Sequence, residues 1–396
     1  MNMNPELQQA VQFFTREKEI MSCLLLVCGT GGRTEKALDG DAAENSVFDL
    51  ASLTKLFTGL CALKLKEDGL LEFGRPVFSY DPRFTALKDV TVGELMGFAV
   101  ELRTPGRVDA CATREEALDC LFGSYSVGSP KGRAYSDIPS MVIKYVLEAA
   151  ARAPFMDCVR EMILEPAGMT ETWAKVPEDR IADCQDYDRE HRIENGKYIL
   201  REGLKPGVPH DPKAEVLQGD TGDLCGHAGL FSTVPDMIRF CRAVLDRKIV
   251  GEESLREIAV NRTGRLRPDG TYTQFLGLQC YVRHPVQYWS EIPVYMGRSA
   301  FGIGGFTGNH VSVDPQRDLF TIFLGNRVRN RLTVLVPEEG KGLTDYGLKA
   351  DGSGMFRWTD GEVIPSSVKW VHQKDAHLHR AVAETLGLKD IPFEEA

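Results

Sequence analysis

Ser52-Leu53-Thr54-Lys55, running straight into Leu56-Phe57-Thr58-Gly59-Leu60-Cys61-Ala62-Leu63, is the stretch on which the reading of this chain turns. A serine hydroxyl is a poor nucleophile at neutral pH and needs a base beside it. On a helix, a lysine three residues later lies on the same face as the serine. The run behind Lys55 is apolar enough to be buried, and burial disfavours an ammonium. A lowered lysine pKa is therefore expected, leaving a neutral amine to take the Ser52 proton. A helix starting at Ser52 would also turn its first N–H groups toward a developing oxyanion. The four-residue spacing alone is not diagnostic. Ser366-Ser367-Val368-Lys369 matches it too, but that match lies between Pro365 and Trp370 with no helical apolar period behind it, and reads as loop or strand.

The chain around this stretch has 396 residues, 43% hydrophobic and 26% charged, ordinary values for a globular protein long enough for two lobes. Its formal net charge of −10, with no dense basic run, argues against a nucleic-acid or anionic-membrane surface. The ten cysteines include no C-x-x-C pair, so neither a metal site nor a redox motif is indicated. They are expected to be free thiols. Met1 to Glu6 lacks the features of an export leader and the longest early apolar stretch, Cys23 to Cys28, is of strand length, so a cytoplasmic location is expected.

Apolar periodicity predicts a helix from Glu6 to Met21, a strand over Cys23 to Cys28, and a short strand over Ser46 to Leu50. Helices are expected at Val92–Phe98, Arg114–Leu121, Ile138–Ala151 and Phe155–Leu164, then a polar loop from Pro177 to Asp220 around the mouth of a site. After a helix over Val234–Leu245, strands are predicted at Phe275–Arg283, Arg298–Ile303, Asn309–Val313 and Leu319–Leu324. A polar surface excursion follows over Glu338–Pro365, and a final helix over Asp375–Leu386. Successive strands with short connections imply an antiparallel sheet. The expected fold is therefore α/β (α+β), an antiparallel sheet flanked by helices with a mostly helical lobe inserted. The lobes would be 1–73 with 222–396, and 74–221, with a cleft between them as the natural pocket.

Two further segments carry candidate chemistry. Tyr135 ends the polar loop Pro130–Arg133 just before an apolar helix, where a lysine beside it would make it a proton carrier. The same residues also fit a packed tyrosine with Asp137 as helix N-cap. Gly302-Ile303-Gly304-Gly305-Phe306-Thr307-Gly308 places four glycines in seven positions, which means either close backbone approach at a strand edge or a glycine-rich hairpin. His227, between Gly226 and Gly229, either lines the site or is structural. His210-Asp211 finds no G-x-S-x-G nucleophile elbow to serve.

Together these segments resemble the serine β-lactamase and penicillin-binding-protein superfamily, most closely its class C-type esterase branch. Val47 to Lys55 resembles the family's S-x-x-K element, Tyr135-Ser136-Asp137 its Y-x-N element, Gly226 to Thr233 the G-H-A-G-L-F-S-T segment of related hydrolases, and Gly302 to Asn326 its third element with the strands that follow. The resemblance implies Ser52 as acyl-forming nucleophile, Lys55 as its base and Tyr135 as proton shuttle. It also implies an oxyanion hole from the N–H groups of Ser52 and Phe306, with no metal and no cofactor. Two positions depart from the pattern. The third element usually reads K-T-G or H-T-G, and Ile303-Gly304-Gly305 stands there instead. Asp137 replaces the amide of Y-x-N. Both changes disfavour a substrate carboxylate, with Asp137, His227 and Ile303 to Phe306 expected to bind substrate and Arg298 the nearest substitute cation in sequence.

The expectation is thus a serine hydrolase acting on a small ester or amide, with no nucleic-acid or membrane partner. Acyl transfer through the same acyl-enzyme, D,D-peptidase or β-lactamase activity, and a non-catalytic binding role stay open, as do the substrate and the oligomeric state.

Overall fold

The computed structural model describes residues 3–286, 291–350, 355–358 and 361–395. Its centre is a six-stranded antiparallel sheet in the order Arg33–Gly40, Cys23–Thr30, Leu319–Gly325, His310–Asp314, Phe301–Gly304, Tyr281–Val282. Both chain ends contribute to it, so the sheet closes only when residues about three hundred positions apart pair, as Leu24 does with Gly325.

Both faces of this sheet are covered. Leu25 and Val27 face one core with Phe301, Ile303, Val311, Val313 and the helices that follow Ser52. Leu24, Leu26 and Cys28 face a second core, closed by the helix Pro5–Gln12 through Leu7 and Val11, by Leu378 in the π-helical turn Lys374–His379 and by Val382 in the helix Arg380–Leu386. That two-sided burial is why Cys23 to Cys28 is an unbroken apolar run rather than an alternating one. The α-helix behind the quoted serine, Thr54–Glu67, is buried on nearly every side up to Leu65, so its apolar content has no single face. All ten cysteines are free. Among the described residues, no helix is long and apolar enough to cross a membrane.

The expected fold class is borne out, and the helices Ile138–Ala151 and Val234–Leu245 begin and end where periodicity puts them. Elsewhere the elements differ. The stretch from Pro177 to Asp220, expected as loop, contains the hairpin Arg189–Glu194 and Lys197–Glu202 and the helix Pro212–Gln218. The hairpin pairs in parallel with Arg331–Leu335, a tertiary contact that no local pattern announces. The stretch from Phe275 to Arg283 is a strand only at Tyr281–Val282. Within Glu338–Pro365 a small antiparallel sheet forms from Leu348–Ala350, Met355–Trp358 and Val363–Pro365, while residues 351–354 and 359–360 lie outside the described residues. Strand Arg33–Gly40 carries charged residues because it is the sheet's edge, which hides it from a search for apolar alternation.

Candidate active site

The chain enters the site along Phe48–Asp49, a short strand paired with Phe231–Ser232. It then turns through a 3-10 turn, Ala51–Leu53, ahead of the helix. Ala51 has φ +47°, a left-handed conformation that strains an L residue with a side chain, at a cost of about 1–3 kcal/mol. Asp49 braces this turn. Its Oδ1 accepts from Ala51 N–H at 2.8 Å and its Oδ2 from His210 N–H at 2.7 Å, while its carbonyl accepts from Thr307 Oγ1 at 2.9 Å and Asn309 Nδ2 at 2.7 Å. One buried residue thus ties the Ser52 turn to the turn that follows Phe301–Gly304.

Lys55 is fully buried, and its Nζ donates to three oxygens. These are Ser52 Oγ at 3.1 Å, Asp137 Oδ1 at 2.8 Å and the His227 carbonyl at 3.1 Å. The same Nζ lies 5.0 Å from the centre of the Tyr135 ring. Tyr135 is held from both sides: Gln274 Oε1 accepts from the Ala134 and Tyr135 N–H groups, and the ring stacks on Tyr281 at 5.4 Å. Burial pulls the Lys55 pKa down, but the Asp137 carboxylate, 2.8 Å away, and Tyr135 outweigh it, and the net shift is upward. The lowered pKa expected from the apolar run is therefore corrected: the run does bury the amine, but a carboxylate far away in sequence holds the ammonium form.

Asp137 stands at the N-cap position of its helix, but its side chain makes no capping hydrogen bond. It sits between two ammoniums, with Lys213 Nζ 3.2 Å from its Oδ2. Burial alone would raise the Asp137 pKa, but Lys55, His227 and Lys213 hold it well below the usual carboxylate range. Lys213 also reaches Asp211 Oδ2 at 3.2 Å, and Asp211 Oδ1 meets His227 Nε2 at 3.0 Å. The His227 ring is only 1% exposed and turned toward Asp211, so its contact with Lys55 is made through its backbone carbonyl. Asp137, Asp211 and His227 offer ligand atoms within 4.8 Å of one another, spacing that suits a metal ion. The donor set fits a cation poorly as it stands, because Lys55 and Lys213 already neutralise both carboxylates.

The glycine-rich strand end lies against the serine turn. A β-carbon on Gly305 would sit 2.8 Å from the Leu50 carbonyl and 3.5 Å from Ala51 Cβ, so only glycine permits this approach. A β-carbon on Gly304 would meet the Glu291 carboxylate at 2.8 to 3.1 Å, which leaves no room for the hydroxyl-bearing residue of a K-T-G element. Ile303 is fully buried in the core that covers this face of the sheet. The Phe306 ring stacks on His210 at 5.5 Å, with the Arg192 and Arg327 guanidiniums each 4.9 Å from its centre. Arg298, the substitute cation suggested by sequence proximity, lines a different cleft that includes none of Ser52, Lys55 and Tyr135.

The structure therefore brings together Ser52, Lys55, Tyr135, Asp137 and the His227 carbonyl, with Gly305 against them. Sequence reasoning missed Lys213 and Asp49, and set Asp211 aside for want of a nucleophile elbow. Asp211-Pro212 is readable as a helix start, and Asp211 Oδ1 does cap that helix through the Lys213 and Ala214 N–H groups. Nothing local points Lys213 at Asp137. In the second S-x-x-K match, Ser366 Oγ accepts from the Val368 N–H at 3.3 Å and Lys369 is exposed.

Comparison with known proteins agrees with this fold. The family model described as Beta-lactamase matches residues 12–335. A putative D-alanyl-D-alanine carboxypeptidase of Salmonella typhi is 25% identical over 315 residues, covering 72% of this chain and 70% of the relative. Among solved structures, EstCE1, a hydrolase with promiscuous acyltransferase activity, superposes with a TM-score of 0.65 at 15% identity over 94% of this chain and 97% of its own. A class C β-lactamase from Rhodobacter sphaeroides gives a TM-score of 0.60 at 17% identity over 82% of this chain and 95% of its own.

Proposed function

The chain belongs to the beta-lactamase family, and on that premise we propose that it is a serine hydrolase that acylates Ser52 with a small, uncharged ester or amide. The observation that carries this reading is the 3.1 Å contact between Ser52 Oγ and the buried Lys55 amine. In its neutral form Lys55 takes the serine proton as Oγ attacks the substrate carbonyl carbon. Tyr135, fixed beside the same amine, passes a proton to the leaving group, and water then releases the acyl group by the reverse route. The N–H groups of Ser52 and Phe306 stabilise the oxyanion. Asp49 acts as a positioning residue that holds the strained turn in place.

Lys55 starts as an ammonium in this arrangement, which predicts a pH signature. Turnover requires the neutral amine, so kcat/KM rises with pH as Lys55 loses its proton. Asp137→Asn removes the carboxylate that favours the ammonium and leaves the burial that opposes it. The acid limb of the kcat/KM profile is then expected to move to lower pH by about one unit or more. A limb that stays where it is would mean that another group titrates there.

Specificity follows from positions 303 to 305. Ile303 is buried, Gly304 has no side chain, and the Glu291 carboxylate stands behind it, so the third element offers no cation to a substrate carboxylate. A charge-assisted hydrogen bond contributes about 1.5–3 kcal/mol, so neutral p-nitrophenyl esters are expected to exceed matched carboxylate-bearing ones by about tenfold or more in kcat/KM. The Salmonella relative's name favours a second reading, carboxypeptidase action, and the same substrate panel separates the two. Equal or better turnover of the anionic ester would overturn the first reading and turn attention to Arg133, exposed and 5.3 Å from the Tyr135 ring centre. Intact-protein mass spectrometry after a fluorophosphonate tests the shared premise, since a single adduct mapped to Ser52 is expected.

A further inference from the structure

Just before the strand Phe301–Gly304, at the end away from Gly305, lies a cleft of about 670 Å³ with a different electrostatic character from the rest of the molecule. Arg256, Arg283, Arg298 and Arg317 line it, against one carboxylate, Glu395, in a chain whose net charge is −10. Arg256 pairs with Glu252 at 3.3 Å. Among the described residues, no carboxylate lies within 4.0 Å of the Arg283, Arg298 or Arg317 guanidiniums.

Arg283 makes this more than an exposed basic patch. It is 5% exposed, its Nη1 donates to the His284 carbonyl at 3.1 Å and its Nη2 to the Ile391 and Val294 carbonyls at 2.9 and 3.4 Å, while its buried Nε has no hydrogen-bond partner among the described residues. Burial pushes its pKa down, offset in part by Asp390. A desolvated guanidinium with no carboxylate against it is costly, and an anion in the cleft offsets its charge. Arg298 is held over the Phe393 ring at 4.8 Å, and Phe393 meets Phe275 edge-on at 6.0 Å, so the cleft also has a preformed aromatic wall.

We propose that this cleft binds a small molecule carrying two linked phosphates. Guanidinium groups match phosphate oxygens, and the exposed Arg317 together with the donors Arg298 keeps beyond its 2.8 Å bond to the Phe393 carbonyl, beside the buried Arg283 charge, suit a compact polyanion better than a single carboxylate. An organic portion, where the ligand has one, lies against Phe275 and Phe393.

Calorimetric titration of the whole chain with ADP, with pyrophosphate and with adenosine tests this at low salt and at 0.5 M salt. ADP and pyrophosphate are expected to bind in the micromolar range, more weakly at high salt, and adenosine not detectably. Tighter binding of ADP than of pyrophosphate would identify an organic phosphate as the ligand class, and equal binding an inorganic one. Arg298→Glu combined with Arg317→Glu changes two exposed side chains outside the proposed catalytic machinery. This variant should keep the thermal midpoint of the ligand-free protein, lose affinity for both phosphates at least tenfold, and lose the midpoint rise that ligand gives the parent. No binding of either phosphate at millimolar concentration, or unchanged affinity in the double variant, would overturn the assignment.

Discussion

Ser52→Ala is expected to lower ester turnover by roughly 10⁴-fold or more, the scale on which loss of an activated nucleophile is felt. The fold should survive. Ser52 caps no helix, because the α-helix begins at Thr54 behind a separate turn, and its recorded side-chain partner is Lys55 at 3.1 Å. Removing that hydroxyl therefore costs stability only about 1 kcal/mol, the net worth of one hydrogen bond. Steady-state kinetics on a p-nitrophenyl ester, paired with a thermal melt, separates the two effects. Activity above about a tenth of the parent's would exclude Ser52 as nucleophile, since no partial loss of that size fits removal of the attacking atom.

Lys55→Ala and Tyr135→Phe should each reduce acylation by roughly 10³-fold, and the double variant should lose far less than the product. The reason is geometric. Lys55 Nζ sits 5.0 Å from the Tyr135 ring centre while touching Ser52, and in the proposed mechanism the two share one proton path, so that breaking it once already removes most of its benefit. Stopped-flow acylation rates for the four members of the cycle measure the coupling directly. Fully multiplicative losses would place the two side chains in separate roles. Lys55→Ala carries a second cost that must be measured alongside, because it leaves Asp137 with Lys213 as its remaining ammonium partner.

Much of this molecule is legible along the chain because it depends on local periodicity and packing. The period of Ile138–Ala151 and of Val234–Leu245 sets those helices without help from elsewhere, and the apolar run Cys23–Cys28 is what a strand buried on both faces must look like. Ser52 and Lys55 are neighbours by helical spacing alone. The glycines at 304 and 305 signal close approach, and the structure supplies the groups approached, Glu291 and the Leu50 carbonyl.

What only the tertiary structure decides is the electrostatic state of those neighbours. The apolar context of Lys55 argues for a neutral amine, and desolvation alone does push its pKa downward. Asp137, 82 positions further on, and Tyr135 reverse the outcome, because their combined attraction for the ammonium outweighs desolvation. Lys213 and Asp211 then enter from a segment with no apolar rhythm, and Arg298, close in sequence to the third element, is carried to another cleft. Apolar burial is a property of a residue and its near neighbours, and so is written in the sequence. The pairing of charges depends on distances of a few ångströms between segments brought together only by tertiary packing, and so belongs to the fold.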